Sequence, residues 1–260
     1  MKYLAIFRIQ LSNRLAYVGD LITGSLSILI FLWVFIQLWA TTYRVMNQEN
    51  IGGLTLANTL WYLMLTEAIQ LSKPRLTKGI SDAVKDGSIA YLLNKPYNFL
   101  LYQLSVALAD GVSRFGFNLL TGGLLLVLMV SAPPNPMGWP LVLVAVFFGW
   151  VLDFCIQALI GLAAFVTEDV TAFDWIYQKL VFILGGMLIP LDFSPDWLRN
   201  ISLALPFAYT MYGPARLFVE PDLLRFVTLL AGQTIWIIVL GGLLALAYQR
   251  GLKWLVVNGG

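Results

Sequence analysis

Apolar and polar residues follow one another in long blocks rather than at short period. Apolar runs near 20 residues occupy positions 21–40, 54–71, 99–130, 141–166 and 223–248, and a further one begins at 180. The ~30 Å hydrocarbon core of a bilayer demands runs of that length from a spanning helix. The pattern predicts an all-α membrane protein. The ~10-residue alternating segments of a membrane barrel do not occur.

The interruptions carry the next level of information. Residues 99–130 exceed one span, and counting ~20 residues back from Val130 starts the span near Gly111. That leaves 99–110 as an interfacial or strongly tilted lead-in, with Asp110 and Arg114 at i,i+4 near the inner headgroups. The run from 180 is broken by GGMLIP. The segment 190–221 is too polar and proline-rich for a span, yet 201–212 is too apolar for a free loop. Two short helices dipping into the outer leaflet satisfy both facts, because irregular backbone survives at membrane depth only where it is shielded. In residues 1–20, Leu4, Phe7, Leu11, Leu15 and Val18 form one helical stripe, while Arg8, Gln10, Asn13 and Arg14 interrupt the apolar core that a signal peptide needs. An interfacial helix is predicted there.

Residues 73–98 are a basic island holding Lys73, Arg75, Lys78, Lys85 and Lys95. A short loop so rich in cations stays on the cytoplasmic side. Within it Ile80, Val84, Ile89, Leu92 and Leu93 fall at helical spacing opposite Lys78, Asp82, Lys85 and Asp86. Gly79 and Gly87 punctuate this helix and Pro96 ends it. Two readings stand, a lipid-facing loop and a surface that docks a cytoplasmic partner. With this loop inside, the other cations distribute as Lys2, Arg8, Arg14, Lys179, Arg250 and Lys253 inside against Arg44, Arg199, Arg216 and Arg225 outside. Six spans with both termini cytoplasmic follow, and parity places the acidic connection 167–179 inside as well.

Composition narrows the chemistry. The 260 residues are 59% hydrophobic and 12% charged, and the mean hydropathy is +0.80, far too apolar for a soluble domain of this size. The lipid bilayer is the partner that matters, and no nucleic acid is expected. The chain has no histidine and one cysteine, Cys155, which excludes histidine-based metal sites, Ser/His/Asp triads and an internal disulfide. Neither G-x-x-x-x-G-K-[ST] nor H-E-x-x-H nor G-x-S-x-G occurs, so no catalytic or metal-binding set is assigned. Asp153 lies midway along a predicted span, where a carboxylate is costly unless it is paired, protonated or wetted. It reads either as a proton or cation site or as one half of an ion pair with Arg114. Glu67 sits one turn from the inner end of the second span. A proton-coupled secondary transporter would use Asp153 and Glu67. A membrane-embedded lipid-modifying enzyme is weakened by the missing histidine.

Four stretches carry a family resemblance: the amphipathic start, DGSIAYLLNKPYNFLLYQL, GGMLIPLDFSPDWLRNISLALPFAYTMYGPARLF and YQRGLKWLVVNGG. The third has a glycine, then Pro190, then Pro195 and Trp197, then Pro206 and Tyr209 before the last span. In these features the chain resembles the type-2 permease subunits of ATP-binding-cassette (ABC) exporters, and within them the small bacterial permeases for drug or viologen export. The resemblance implies one permease domain over 1–260, with an elbow helix at 1–20, a cytoplasmic coupling loop at 73–98 and an outer re-entrant segment at 190–221. Coupling would fall on Gly79, Ile80, Asp82, Val84, Asp86, Gly87, Leu92 and Pro96. It further implies a bacterial inner-membrane location, pairing with a second copy or a paralogous permease, and two cytoplasmic ATPase subunits that hold ATP and Mg²⁺. The chain itself would be no enzyme. Its short outer loops depart from family members that carry large extracellular domains.

Overall fold

The apolar blocks fold as helices, in a computed structural model that describes residues 1–134, 138–167 and 169–258. Residues 135–137 of the proline-rich connection, Glu168 of the acidic one and the terminal glycines lie outside them. The order is α1 (Lys2–Ala16), α2 (Val18–Met46), a hairpin of β1 (Asn50–Ile51) and β2 (Leu54–Thr55), α3 (Leu56–Ser72), α4 (Leu76–Lys85), α5 (Ile89–Leu93), α6 (Phe99–Met129) and α7 (Trp139–Thr167). There follow α8 (Thr171–Leu184), a 3₁₀ turn at Leu191–Phe193, α9 (Asp196–Ala204), α10 (Pro206–Thr210), α11 (Tyr212–Val219) and α12 (Leu223–Asn258). In the hairpin, antiparallel register sets Asn50 opposite Thr55.

Among the described residues four helices, α2, α6, α7 and the Leu223–Lys253 part of α12, are long and apolar enough to cross a membrane. The 17 residues of α3 reach only about 26 Å. They form the centre of the bundle. Every residue from Thr59 to Ile69 is buried, which is why this helix is apolar on all sides. It packs against α2, α6 and α11, while α7 packs against α12, α4 and α11. A second apolar cluster, built around Leu76, Ile80, Ile89, Phe99, Leu162 and Leu244, fills the end of the bundle that carries the basic loop.

Several boundaries differ from the sequence expectation. Residues 99–129 are one helix rather than a lead-in and a span, since no proline interrupts them and Gly111 is helical, buried against Trp150. At 31 residues this helix runs about 46 Å, well past a hydrocarbon core. Helix α8 starts at Thr171, inside the expected acidic loop, with Asp174 in its first turn, where a carboxylate complements the helix dipole. The segment 190–221 holds a 3₁₀ turn and three helices rather than two. One break comes at Leu205, held extended by Pro206 after it. Helix α12 continues through the expected tail. The face that α1 turns to α6 also differs. It carries Tyr3, Ile6, Gln10 and Arg14 beside Phe7 and Leu11 of the expected stripe, whereas Leu4, Leu15 and Val18 of that stripe are exposed.

Candidate functional site

The basic loop begins where α3 is forced to stop. Lys73 precedes Pro74 and takes an extended conformation (ψ 131°), as the clash with a following proline ring requires. Leu76, Ile80 and Ala83 of α4 turn inward with Thr77 and Ser81. Ile80 rests on Gly161 of α7, where an added Cβ would lie 2.8 Å from Ile80 Cδ1. Thr77 Oγ1 donates to the Gln157 carbonyl at 3.2 Å. The helix then breaks at Gly87, whose φ of +76° favours glycine. Asp86 Oδ1 accepts from Ser88 N at 2.9 Å across the break. The Ser88 side chain first, and then that backbone bond, hold the Asp86 carboxyl below its ordinary range. The single expected helix is therefore two.

The consequence for the residues singled out in this loop is a clean division. Ile80 is buried, and Val84 and Leu92 pack partly buried in the second apolar cluster. Gly79, Asp82, Asp86, Gly87 and Pro96 are exposed, together with Lys78, Lys85 and Tyr91. The loop is also fastened at its far end and side. Lys2 Nζ donates to the Pro96 carbonyl at 3.3 Å, and Asn98 N donates to Tyr3 Oη at 3.1 Å. Lys85 pairs with Asp169 at 3.0 Å between α7 and α8. The Thr171 side chain, then its backbone N–H and then Lys85 hold the Asp169 carboxyl far below the usual range.

Two buried carboxylates organise the interior, and neither pairs with Arg114. Asp110 accepts Arg14 Nε and Nη2, both at 2.7 Å, and Gln10 Nε2 at 2.9 Å. This bidentate fork pins α1 to α6. Asp153 pairs with Lys73 Nζ at 2.6 Å. It also accepts Gln157 Nε2 at 2.5 Å and the Tyr177 hydroxyl. Among the described residues no ion pair within 4.0 Å involves Arg114, which instead lines a cavity. Glu67 is buried and its Oε2 finds no hydrogen-bond partner among the described residues.

That cavity, of about 1220 Å³, lies beside the loop between α1, α2, α4, α6 and α8. Its wall is polar: Ser25 and Ser27 from α2, Asn118 from α6, Asp174 and Gln178 from α8. Sequence reasoning missed Lys73, Gln157 and Tyr177 as the partners of Asp153. A signal existed for Tyr177, since Asp174 and Tyr177 of the acidic connection fall at helical spacing with Val181 of the apolar run that follows.

A family model for ABC-2 family transporter proteins matches residues 29–259. The chain belongs to that family. It is thus the membrane component of a transport system. No curated protein shows significant similarity to it. In this ABC-2 family transporter the segment 190–221 is built around Asp192, which pairs with Arg216 Nε at 3.3 Å and accepts the Tyr212 hydroxyl at 3.2 Å. Pro190 precedes the 3₁₀ turn, Pro195 caps α9 and Pro206 opens α10. Trp197 is exposed on α9. The Tyr209 carbonyl accepts Gln233 Nε2, which also reaches the Ala145 carbonyl, both at 2.9 Å. That one amide joins α12 to α7 and α10.

Proposed function

We propose that this ABC-2 family transporter is the permease of an ATP-driven exporter. It crosses a bacterial inner membrane six times, with both termini in the cytoplasm. It works as a dimer with a second copy or a paralogous permease. Two cytoplasmic ATPase subunits bind ATP and Mg²⁺, and their closure pushes on α4 and α5. The observation that carries this reading is the construction of the loop. Its apolar face is locked into the bundle end by Leu76, Ile80 and Ile89, while its polar face, with Asp82, Lys85, Asp86 and Tyr91, is left exposed. A segment packed against the bundle on one side and open on the other can pass a push inward. Short α3 and the chain of α8 with α9–α11 would supply the two crossings beyond the four long helices. Asp153 is already satisfied by Lys73, Gln157 and Tyr177. A proton-driven carrier loses its best acid to that ion pair.

The test is affinity capture of the tagged protein in mild detergent, with ATP hydrolysis assayed on what accompanies it. Co-captured ATPase should be lost from Asp82→Lys and Tyr91→Ala variants, both on the exposed face, while the permease stays monodisperse. If the wild-type chain captures no ATPase under any condition, the reading fails.

A further inference from the structure

We infer that Lys73, Asp153 and Tyr177 are positioning residues that make helix α8, a wall of the cavity, follow the movement of α4. The inference rests on the reading that α4 and α5 receive the push of an ATPase. It names the residues that carry the push onward.

Helix α8 is tied to the bundle at few points. Of its 14 residues only Tyr177 and Val181 are buried. Just beyond its C-terminal end, the Tyr62 hydroxyl donates to the Gly186 carbonyl at 2.5 Å and Thr66 Oγ1 donates to the Met187 carbonyl at 3.1 Å. Those bonds fix one end to α3. Toward the loop, the buried polar tie is the Tyr177 hydroxyl on Asp153. The helix is therefore held at a pivot and at one buried hook, with the exposed Lys85–Asp169 pair as a further tie at its first residue.

The hook belongs to the loop as much as to α7. Asp153 is paired with Lys73 at 2.6 Å, and Lys73 lies three residues before α4. The same carboxylate accepts Gln157 Nε2 at 2.5 Å, and the Gln157 carbonyl accepts Thr77 of α4 at 3.2 Å. Displacing α4 against α7 thus strains Lys73 and Gln157 together, and Asp153 is common to both. A buried charge cannot be left half-paired without a large cost, so the network shifts as a unit or exchanges partners. Either response moves the oxygen that holds Tyr177. The cavity is lined by Lys73, Gln157 and Tyr177 as well, so the change is delivered to its wall.

The experiment uses the full permease with its captured ATPase in lipid nanodiscs. Spin labels are placed at Ile22→Cys on α2 and Ile176→Cys on α8, both exposed positions. Distance distributions are compared with and without a non-hydrolysable ATP analogue. In the wild type the analogue should shift the α2–α8 distance. In Tyr177→Phe, and in the doubly neutral Lys73→Met/Asp153→Asn, the shifted population should fall roughly tenfold, a size typical of coupling between sites, with the ATPase still bound. Tyr62→Phe removes a buried hydroxyl at the pivot and should leave the response intact. A full response in both network variants overturns the inference, as does an equal loss in Tyr62→Phe. A wild type that captures no ATPase overturns the underlying reading, and the inference falls with it.

Discussion

Lys73 Nζ lies 2.6 Å from Asp153 Oδ1, and both side chains are more than nine-tenths buried. The pair joins the last turn of α3 to the middle of α7 just where the chain leaves the bundle for its basic loop.

Removing one partner should therefore be far worse than removing both. Lys73→Met is expected to cost about 3–5 kcal/mol, because it leaves an uncompensated buried carboxylate, whereas Lys73→Met with Asp153→Leu should recover much of the loss. Thermal unfolding of the detergent-solubilised variants by intrinsic tryptophan fluorescence would decide. Equal melting temperatures for the single and double variants would refute the pairing.

The Arg14 fork on Asp110 predicts how α1 is retained. Arg14→Ala should weaken docking by about 1.5–3 kcal/mol, in the lower part of that range because Arg14 is 37% exposed. Limited proteolysis at the α1–α2 junction should then be faster than in the wild type. Unchanged cleavage would mean that the apolar face of α1 suffices.

Gln233 is fully buried and gives its amide to two carbonyls on different helices. Gln233→Leu keeps the bulk and strands both acceptors, so a loss of about 1–3 kcal/mol is expected. Hydrogen exchange should rise in α10 ahead of the rest of the chain. A uniform rise would point instead to general loosening.

Asp169 sets a pH response with a definite sign. Its folded carboxyl lies below the ordinary value of 3.8, held there by Thr171 and then by Lys85. The tie between α4 and α8 is therefore complete at neutral and mildly acidic pH, and is lost only as pH falls through the folded value, below 3.8. Pepsin cleavage near 169–171 during an acid titration should stay slow until that range. Onset of cleavage above 3.8 would contradict it.

The long apolar blocks are legible because span length is a local property of sequence, and α2, α3 and α7 stand within a few residues of where the hydropathy places them. The partners of the buried acids were not legible. Arg114 was the natural choice for Asp110 by spacing, yet the partner is Arg14, 96 positions away, and only the docking of α1 along α6 brings the two together. Likewise Lys73 was counted as one of five loop cations, although Pro74 after it marks a helix end rather than a loop interior. The break at Asp86–Gly87 was signalled by Gly87 itself. Its meaning, that α4 and α5 lie on the bundle separately, required the burial of Ile80 and Ile89 to be seen.

The seat of Ile80 on Gly161 bears on any attempt to redirect this transporter to a foreign motor by exchanging loops. A wholesale graft of 73–98 would carry in side chains cut to fit another protein's α7, and a bulkier one at position 80 would strike the Gly161 backbone. Only outward positions such as Asp82 and Tyr91 are free to be rewritten, since Lys85 is tied to Asp169 and Asp86 holds the helix break. Partner choice and structural fit are thus inscribed on opposite sides of the same short segment, α4 with α5, and an engineer must edit one side while copying the other.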